Sequence, residues 1–152
     1  MNTKTIATVG IIAALYAAIT ILFAPLAYGP LQFRLSEILK PLALHGRKYV
    51  LALTIGLFAA NLFSPFLGVL ELILMPAACL IGGEITYRLR RWPVAALTLY
   101  AGIISAGVAT MLHVVVGLPW LPTWGLVFIP ELILMQVGRP ICDRVLRRVQ
   151  NG

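Results

Sequence analysis

Long apolar runs, broken by Gly, Pro and small clusters of Arg and Lys, set the pattern of this chain. An α-helix needs about 20 apolar residues to cross a bilayer, and fewer serve where it does not cross fully. The pattern predicts six helical segments. They run from Thr5 to Ala24, closed by Pro25; Gln32 to His45; Lys48 to Phe63; Phe66 to Tyr87; Pro93 to Gly117; and Thr123 to Arg147, whose last turns leave the membrane. The second is the shortest, since about 14 residues at 1.5 Å each give roughly 21 Å, less than the hydrocarbon thickness. It follows "APLAYGPL", Ala24 to Leu31, where Pro25, Gly29 and Pro30 predict irregular backbone. Such backbone is tolerated at membrane depth only against protein or a water-filled cavity, so a cavity is expected on the outer side.

Composition excludes a soluble globule. The 152 residues are 61% hydrophobic and 11% charged, with a mean hydropathy of +0.96, too little polar surface for an aqueous fold. No polar stretch reaches the roughly 50 residues of a small aqueous domain. The expectation is one all-α transmembrane domain over residues 1–152, a multi-pass protein of a prokaryotic inner or plasma membrane. The net charge of +7 would suit nucleic acid or acidic lipid, but its placement speaks first for topology. Lys4, Arg47 with Lys48, Arg88 with Arg90 and Arg91, and the Arg139 to Arg148 group fall on alternate turns between apolar runs. That is the positive-inside pattern, and it puts both termini in the cytoplasm. Thr5 to Leu26 is longer than a signal-peptide core and follows a single lysine, so it reads as a span. Cys79 and Cys142 imply no disulfide framework.

Small residues mark close helix contacts. Gly10, Ala14 and Ala18 recur at spacing four with Ala13 and Ala17 beside them, the densest such stripe and the one best suited to meet another membrane subunit. Ala52, Gly56 and Ala60, and Ala101, Ser105 and Ala109, repeat the rule. The pentapeptide "ELILM" occurs at Glu71 to Met75 and again at Glu131 to Met135. Both copies are expected to begin helices that enter from outside, which sets their carboxylates roughly 7 to 10 Å deep.

Ionisable groups in spans are costly and face a bundle interior or a wet cavity by default. Of the five acidic residues, Glu84 precedes Arg88 by four and reads as a helical ion pair, and Asp143 lies among cytoplasmic arginines. Glu37, Glu71 and Glu131 remain, all in the outer halves of helices, with Arg34, Asn61, His113, Trp120 and Trp124 at similar depth. Arg34 and Glu37, three apart in "YGPLQFRLSEILKPLALH", are expected to neutralise one another while facing a shared outer pocket. The bland readings are an internal ion pair that fixes the short helix, and interfacial belt tryptophans. Carboxylates, an amide, a histidine and aromatic faces together suit a flat polar heterocycle, and a carboxylate accepts paired N–H bonds or an ammonium group. No HExxH, P-loop, GxSxG or Cys/His cluster is present, so no catalytic residue, cofactor or metal site is expected.

The stretch "YGPLQFRLSEILKPLALH", with "NLFSP" from Asn61 to Pro65 and the last helix bearing Glu131, resembles the queuosine-precursor transporter (QueT) family. These are substrate-binding, or S, components of energy-coupling factor (ECF) importers. The resemblance covers essentially the whole chain and implies capture of a 7-deazaguanine such as 7-aminomethyl-7-deazaguanine or queuine. It implies partners too: a transmembrane T subunit and two cytoplasmic ATPases. Gln32, Arg34, Asn61 and His113 would orient the substrate, Trp120, Trp124 and Tyr28 would stack, and Glu37, Glu71 and Glu131 would supply carboxylates. The first helix, with its AxxxA spacings Ala13/Ala17 and Ala14/Ala18, would face the T subunit, Pro25 to Leu31 would act as a lid, and toppling of the loaded subunit would deliver the cargo. An S component for another small nutrient, and a non-transport membrane interaction subunit, stay open beside it.

Overall fold

A computed structural model of the chain describes residues 2–29 and 33–151, with side chains up to 148. Its helices are α1 (Thr3–Leu22), a single turn α2 (Ala24–Ala27), a 3-10 helix (Leu35–His45), α3 (Arg47–Asn61), a π turn (Leu70–Leu74) running into α4 (Met75–Arg88), α5 (Pro93–Val116) and α6 (Trp120–Asn151). Four stretches are long and apolar enough to cross a membrane: Thr3–Leu22, Leu70–Arg88, Pro93–Val116 and Trp120–Arg148. The 3-10 helix spans only about 22 Å at 2.0 Å per residue, and α3 about the same at 1.5 Å. Each predicted segment has a helical counterpart, with four main differences. The second starts at Leu35 and is 3-10 rather than α, the fourth begins four residues late at Leu70 and opens with a π turn, the last begins three residues early at Trp120, and part of the expected irregular stretch forms the turn α2.

Polarity is arranged inside out relative to a soluble protein. Ile11, Leu22, Val69, Ile73 and Leu121 point outward, while Arg34, Glu37, Lys40, Asn61, Glu71 and Glu131 are buried. Lipid accepts the first set without penalty, and the second must find partners within the bundle.

Neighbouring helices pack in chain order, α1 on α3, α3 on α4, α4 on α5 and α5 on α6, and the 3-10 helix fills the space between α6, α3, α4 and α1. Small residues make the closest crossings. A Cβ on Gly56 would stand 2.8 Å from the Ala13 carbonyl oxygen, so α1 and α3 touch backbone to backbone there. This divides the stripe on α1: Ala13 faces α3 and is buried, Ala17 is half-buried, and Gly10, Ala14 and Ala18 face outward.

The central helix owes its docking to a proline. In a 3-10 helix each N–H donates three residues back, and Pro41 has none to give to the Ile38 carbonyl. That oxygen turns to α6, where the Cys142 thiol donates to it at 3.5 Å. Gly138 lets the backbones meet, since a Cβ there would lie 2.1 Å from the same oxygen. Gly46, at φ 153° and ψ 156°, then makes a turn that only glycine adopts readily, and α3 begins at Arg47.

Candidate functional site

The buried charges lie along the 3-10 helix, one turn apart. Arg34 sits just before it in extended backbone, φ −93° and ψ 99°, and its guanidinium points across to α3 and the π turn. It donates to Asn61 Oδ1 at 3.1 Å and to Glu71 Oε1 at 3.2 Å. The other Glu71 oxygen accepts from the Ser64 hydroxyl at 2.7 Å, and Asn61 Nδ2 donates to the Glu71 backbone carbonyl at 3.0 Å. Glu71 is therefore held by three residues at once. Over this group lies Tyr28, its ring 5.6 Å from the Arg34 guanidinium carbon and its hydroxyl donating to the Ala60 carbonyl at 2.6 Å.

The π turn under Glu71 has a local cause. Pro76 cannot donate to the carbonyl of Leu72 and its ring presses on that group. The helix widens by one residue immediately before it, with the Met75 N–H bonding Leu70 O. π turns of this kind recur at functional positions.

One turn further on, Glu37 and Lys40 form a second group. With 3.0 residues per turn the two side chains eclipse, and Lys40 Nζ stands 3.0 Å from Glu37 Oε2. Tyr16 of α1 donates to Glu37 Oε1 at 2.5 Å. The ammonium also lies 4.7 Å from the centre of the Tyr100 ring, whose hydroxyl donates to the Cys79 carbonyl at 3.1 Å. Thr20 and Ser36 hydroxyls meet nearby at 2.7 Å.

Glu131 on α6 completes the set, within range of the charges on Glu37, Lys40 and Arg34. It is 1% exposed, and among the described residues neither carboxylate oxygen has a hydrogen-bond partner. The buried inventory of the described residues is thus two cations, Arg34 and Lys40, against three carboxylates, Glu37, Glu71 and Glu131. Two ion pairs use up both cations and leave the third carboxylate over.

The expected Arg34–Glu37 pair is not formed. Arg34 stands outside the helix in extended backbone, so it turns to Glu71 and Asn61, and the spacing of three is satisfied one step later by Glu37 and Lys40. Three further expected residues lie apart from this cluster. His113 is exposed at the end of α5, its Nδ1 2.7 Å from the Leu118 carbonyl, which only accepts. Trp120 and Trp124 stack along α6 with Phe128, at ring separations of 6.5 and 5.0 Å. Their indoles donate to the Thr110 hydroxyl and the Gly102 carbonyl on α5. Gln32 lies outside the described residues. Glu131 stands about 16 Å into α6, not at a helix start, because α6 begins at Trp120 and the second "ELILM" lies well inside it.

Sequence reasoning left Tyr16, Lys40, Ser64 and Tyr100 out of the expected site. Tyr16 and Tyr100 look like ordinary aromatic residues in apolar helices. Ser64 stands in "NLFSP", where the turn before Pro65 was a usable signal.

A second feature lies elsewhere. An apolar cleft of about 510 Å³ opens between α1 and α6 beside the 3-10 helix, lined by Ile11, Leu15, Leu42, Tyr49, Val145 and Leu146. None of Arg34, Glu37, Lys40, Glu71 and Glu131 lines it.

A family model described as QueT transporter matches residues 6–147. The queuosine precursor transporter QueT of Lactococcus lactis subsp. cremoris (strain MG1363) is 30% identical, over 97% of this chain and 95% of that one. No solved structure matches. Apolar helices around a polar centre fit a multi-pass protein of the cell membrane whose work is transport and not enzyme chemistry. On a match that runs from α1 almost to the end of α6, the chain belongs to the QueT transporter family.

Proposed function

We propose that this chain is the membrane-embedded S component of an ECF-type importer and takes up a queuosine precursor such as 7-aminomethyl-7-deazaguanine or queuine. The observation that carries the reading is the buried row Arg34, Glu37, Lys40 with Glu71, Asn61 and Glu131 at the centre of an otherwise apolar bundle. Such a row is expensive in a membrane unless it is used. A deazaguanine presents adjacent N–H donors to a carboxylate and a carbonyl acceptor to a cation or amide, and Glu71 with Arg34 and Asn61 offers those complements.

The cluster is sealed from solvent, so entry requires a cover to move. Tyr28, at the end of the α2 turn, is the cover: it rests on Arg34 and is pinned through one hydrogen bond to Ala60. Six membrane segments with both termini inside, in a single domain, complete the arrangement, α3 and the 3-10 helix being short segments that need not cross fully. The outward residues Gly10, Ala14 and Ala18 of α1 offer a close-approach face to the T subunit, next to the cleft between α1 and α6. Two cytoplasmic ATPases would supply the energy.

Thermal unfolding of the detergent-purified protein with 7-aminomethyl-7-deazaguanine, queuine, guanine and a panel of vitamins tests the reading. Ligand at about 100 times its dissociation constant should add about 2.7 kcal/mol. Stabilisation by deazaguanines, weakened in Asn61→Ala, is the expected result. Stabilisation by a vitamin alone would overturn the cargo.

A further inference from the structure

Resting on that reading of the site, we propose that Glu131 is a proton-exchange carboxyl: it holds a proton before substrate arrives and gives it up as the ammonium arm of an aminomethyl-bearing deazaguanine takes its place. The charge inventory is the first ground. Arg34 is paired with Glu71, and Lys40 with Glu37, at 3.2 and 3.0 Å. Glu131 is left over, and an ionised carboxylate buried without a partner is among the costliest arrangements a protein can hold.

Geometry is the second ground. Glu131 is buried to 1% exposure, and among the described residues neither of its oxygens is matched by a hydrogen-bond donor. Its neighbours do not change the count. From the 3-10 helix the facing charges are Arg34, Glu37 and Lys40; Arg34 pairs with Glu71, and Lys40 stands in ionic contact with Glu37. From α5 come Ser105, which lies close to the Glu131 carboxyl but spends its hydroxyl proton on Ala101 O at 2.7 Å, and Tyr100, which donates to Cys79 O. Tyr16 on α1 donates to Glu37, and Glu71 beyond the π turn is held by Arg34 and Ser64. The described surroundings therefore offer Glu131 no free cation, whereas an incoming ammonium supplies one.

The exchange balances. A neutral carboxyl and a cationic amine become a carboxylate–ammonium pair, and one proton leaves to solvent. The amine itself stays charged across the neutral range, as a lysine does. Net charge in the core is then the same before and after binding, which spares the bundle an uncompensated charge in either state.

Isothermal titration calorimetry on the detergent-purified protein tests this with two probes, 7-aminomethyl-7-deazaguanine and its neutral 7-cyano counterpart, each in two buffers of different ionisation enthalpy. The amine should release about one proton per site, so its Kd falls as pH rises, with a limiting slope of about tenfold per pH unit, by linkage. The nitrile should release none and bind with a flat pH profile. Glu131→Gln should abolish the release and remove the preference for amine over nitrile. Amine binding without proton release, or release that persists in Glu131→Gln, would overturn the inference while leaving the cargo standing. Failure of both probes to bind would overturn the inference together with the reading beneath it. If Glu131→Gln does not fold, the wild-type comparison of amine with nitrile decides alone.

Discussion

The same five residues, Glu-Leu-Ile-Leu-Met, are placed twice in this molecule with opposite outcomes. In both copies the Glu and the Met four positions later are buried and the Ile points outward, at 65% exposure for Ile73 and 57% for Ile133. Local sequence thus repeats the same buried face. The partners differ completely. Glu71 is gripped by Arg34, Ser64 and, through its backbone, Asn61, whereas Glu131 has no hydrogen bond on either oxygen among the described residues. Proline placement separates the backbones as well. Pro76 follows the first copy and forces the π turn over it, while Pro130 precedes the second, which stays regular helix. One carboxylate is tied to its neighbours on both oxygens, and the other has no such tie among the described residues.

The sharpest way to break this contrast is to remove the anchored copy. Glu71→Ala leaves Arg34 buried without its carboxylate and should cost about 3–5 kcal/mol. Unfolding in detergent, followed by helical circular dichroism, measures it, and a loss under 1 kcal/mol would mean that Arg34 finds an equal partner elsewhere. Next in size is the support under the second copy. Gly138→Ala drives a Cβ to 2.1 Å from the Ile38 oxygen, so the 3-10 helix must shift off α6, at about 1–3 kcal/mol. The smallest effect belongs to the unanchored copy: without ligand, Glu131→Gln should change stability by less than about 1 kcal/mol, since no hydrogen bond to it is lost. A large loss there would show that Glu131 is structural after all, and the two copies would cease to differ.

Much of the fold was open to sequence reasoning, because apolar run length and proline placement act locally. The start of α5 at Pro93 follows from them, as does the break after α1. Spacing also identified the Glu84–Arg88 pair, found at 2.9 Å, though Glu84 additionally takes Arg47 from α3 at 2.7 Å. Less of the candidate site was legible. Glu37, Glu71, Glu131, Arg34 and Asn61 do converge in the buried core, but the Arg34–Glu37 pair failed because spacing of three means adjacency only if both residues lie in one helix, and Arg34 does not. Similar depth along the chain brought His113 and the tryptophans into the expected pocket, yet depth says nothing about which way a helix is rotated.

The sequence by itself determined that charges would be kept in the membrane and which residues carried them, since hydropathy fixes what lipid rejects wherever the helices go. It also determined the breaks at proline and glycine, where a missing N–H or Cβ acts within a turn. Tertiary structure alone decided the pairings. Arg34 reaches Glu71 across thirty-seven positions, and Tyr16 reaches Glu37 from another helix. Those choices depend on how α1, α3, α4 and α6 rotate around the 3-10 helix, and that rotation is set by close contacts such as Gly56 on Ala13 and Gly138 on Ile38; a small-residue stripe marks that a contact exists, but no local pattern encodes its partner.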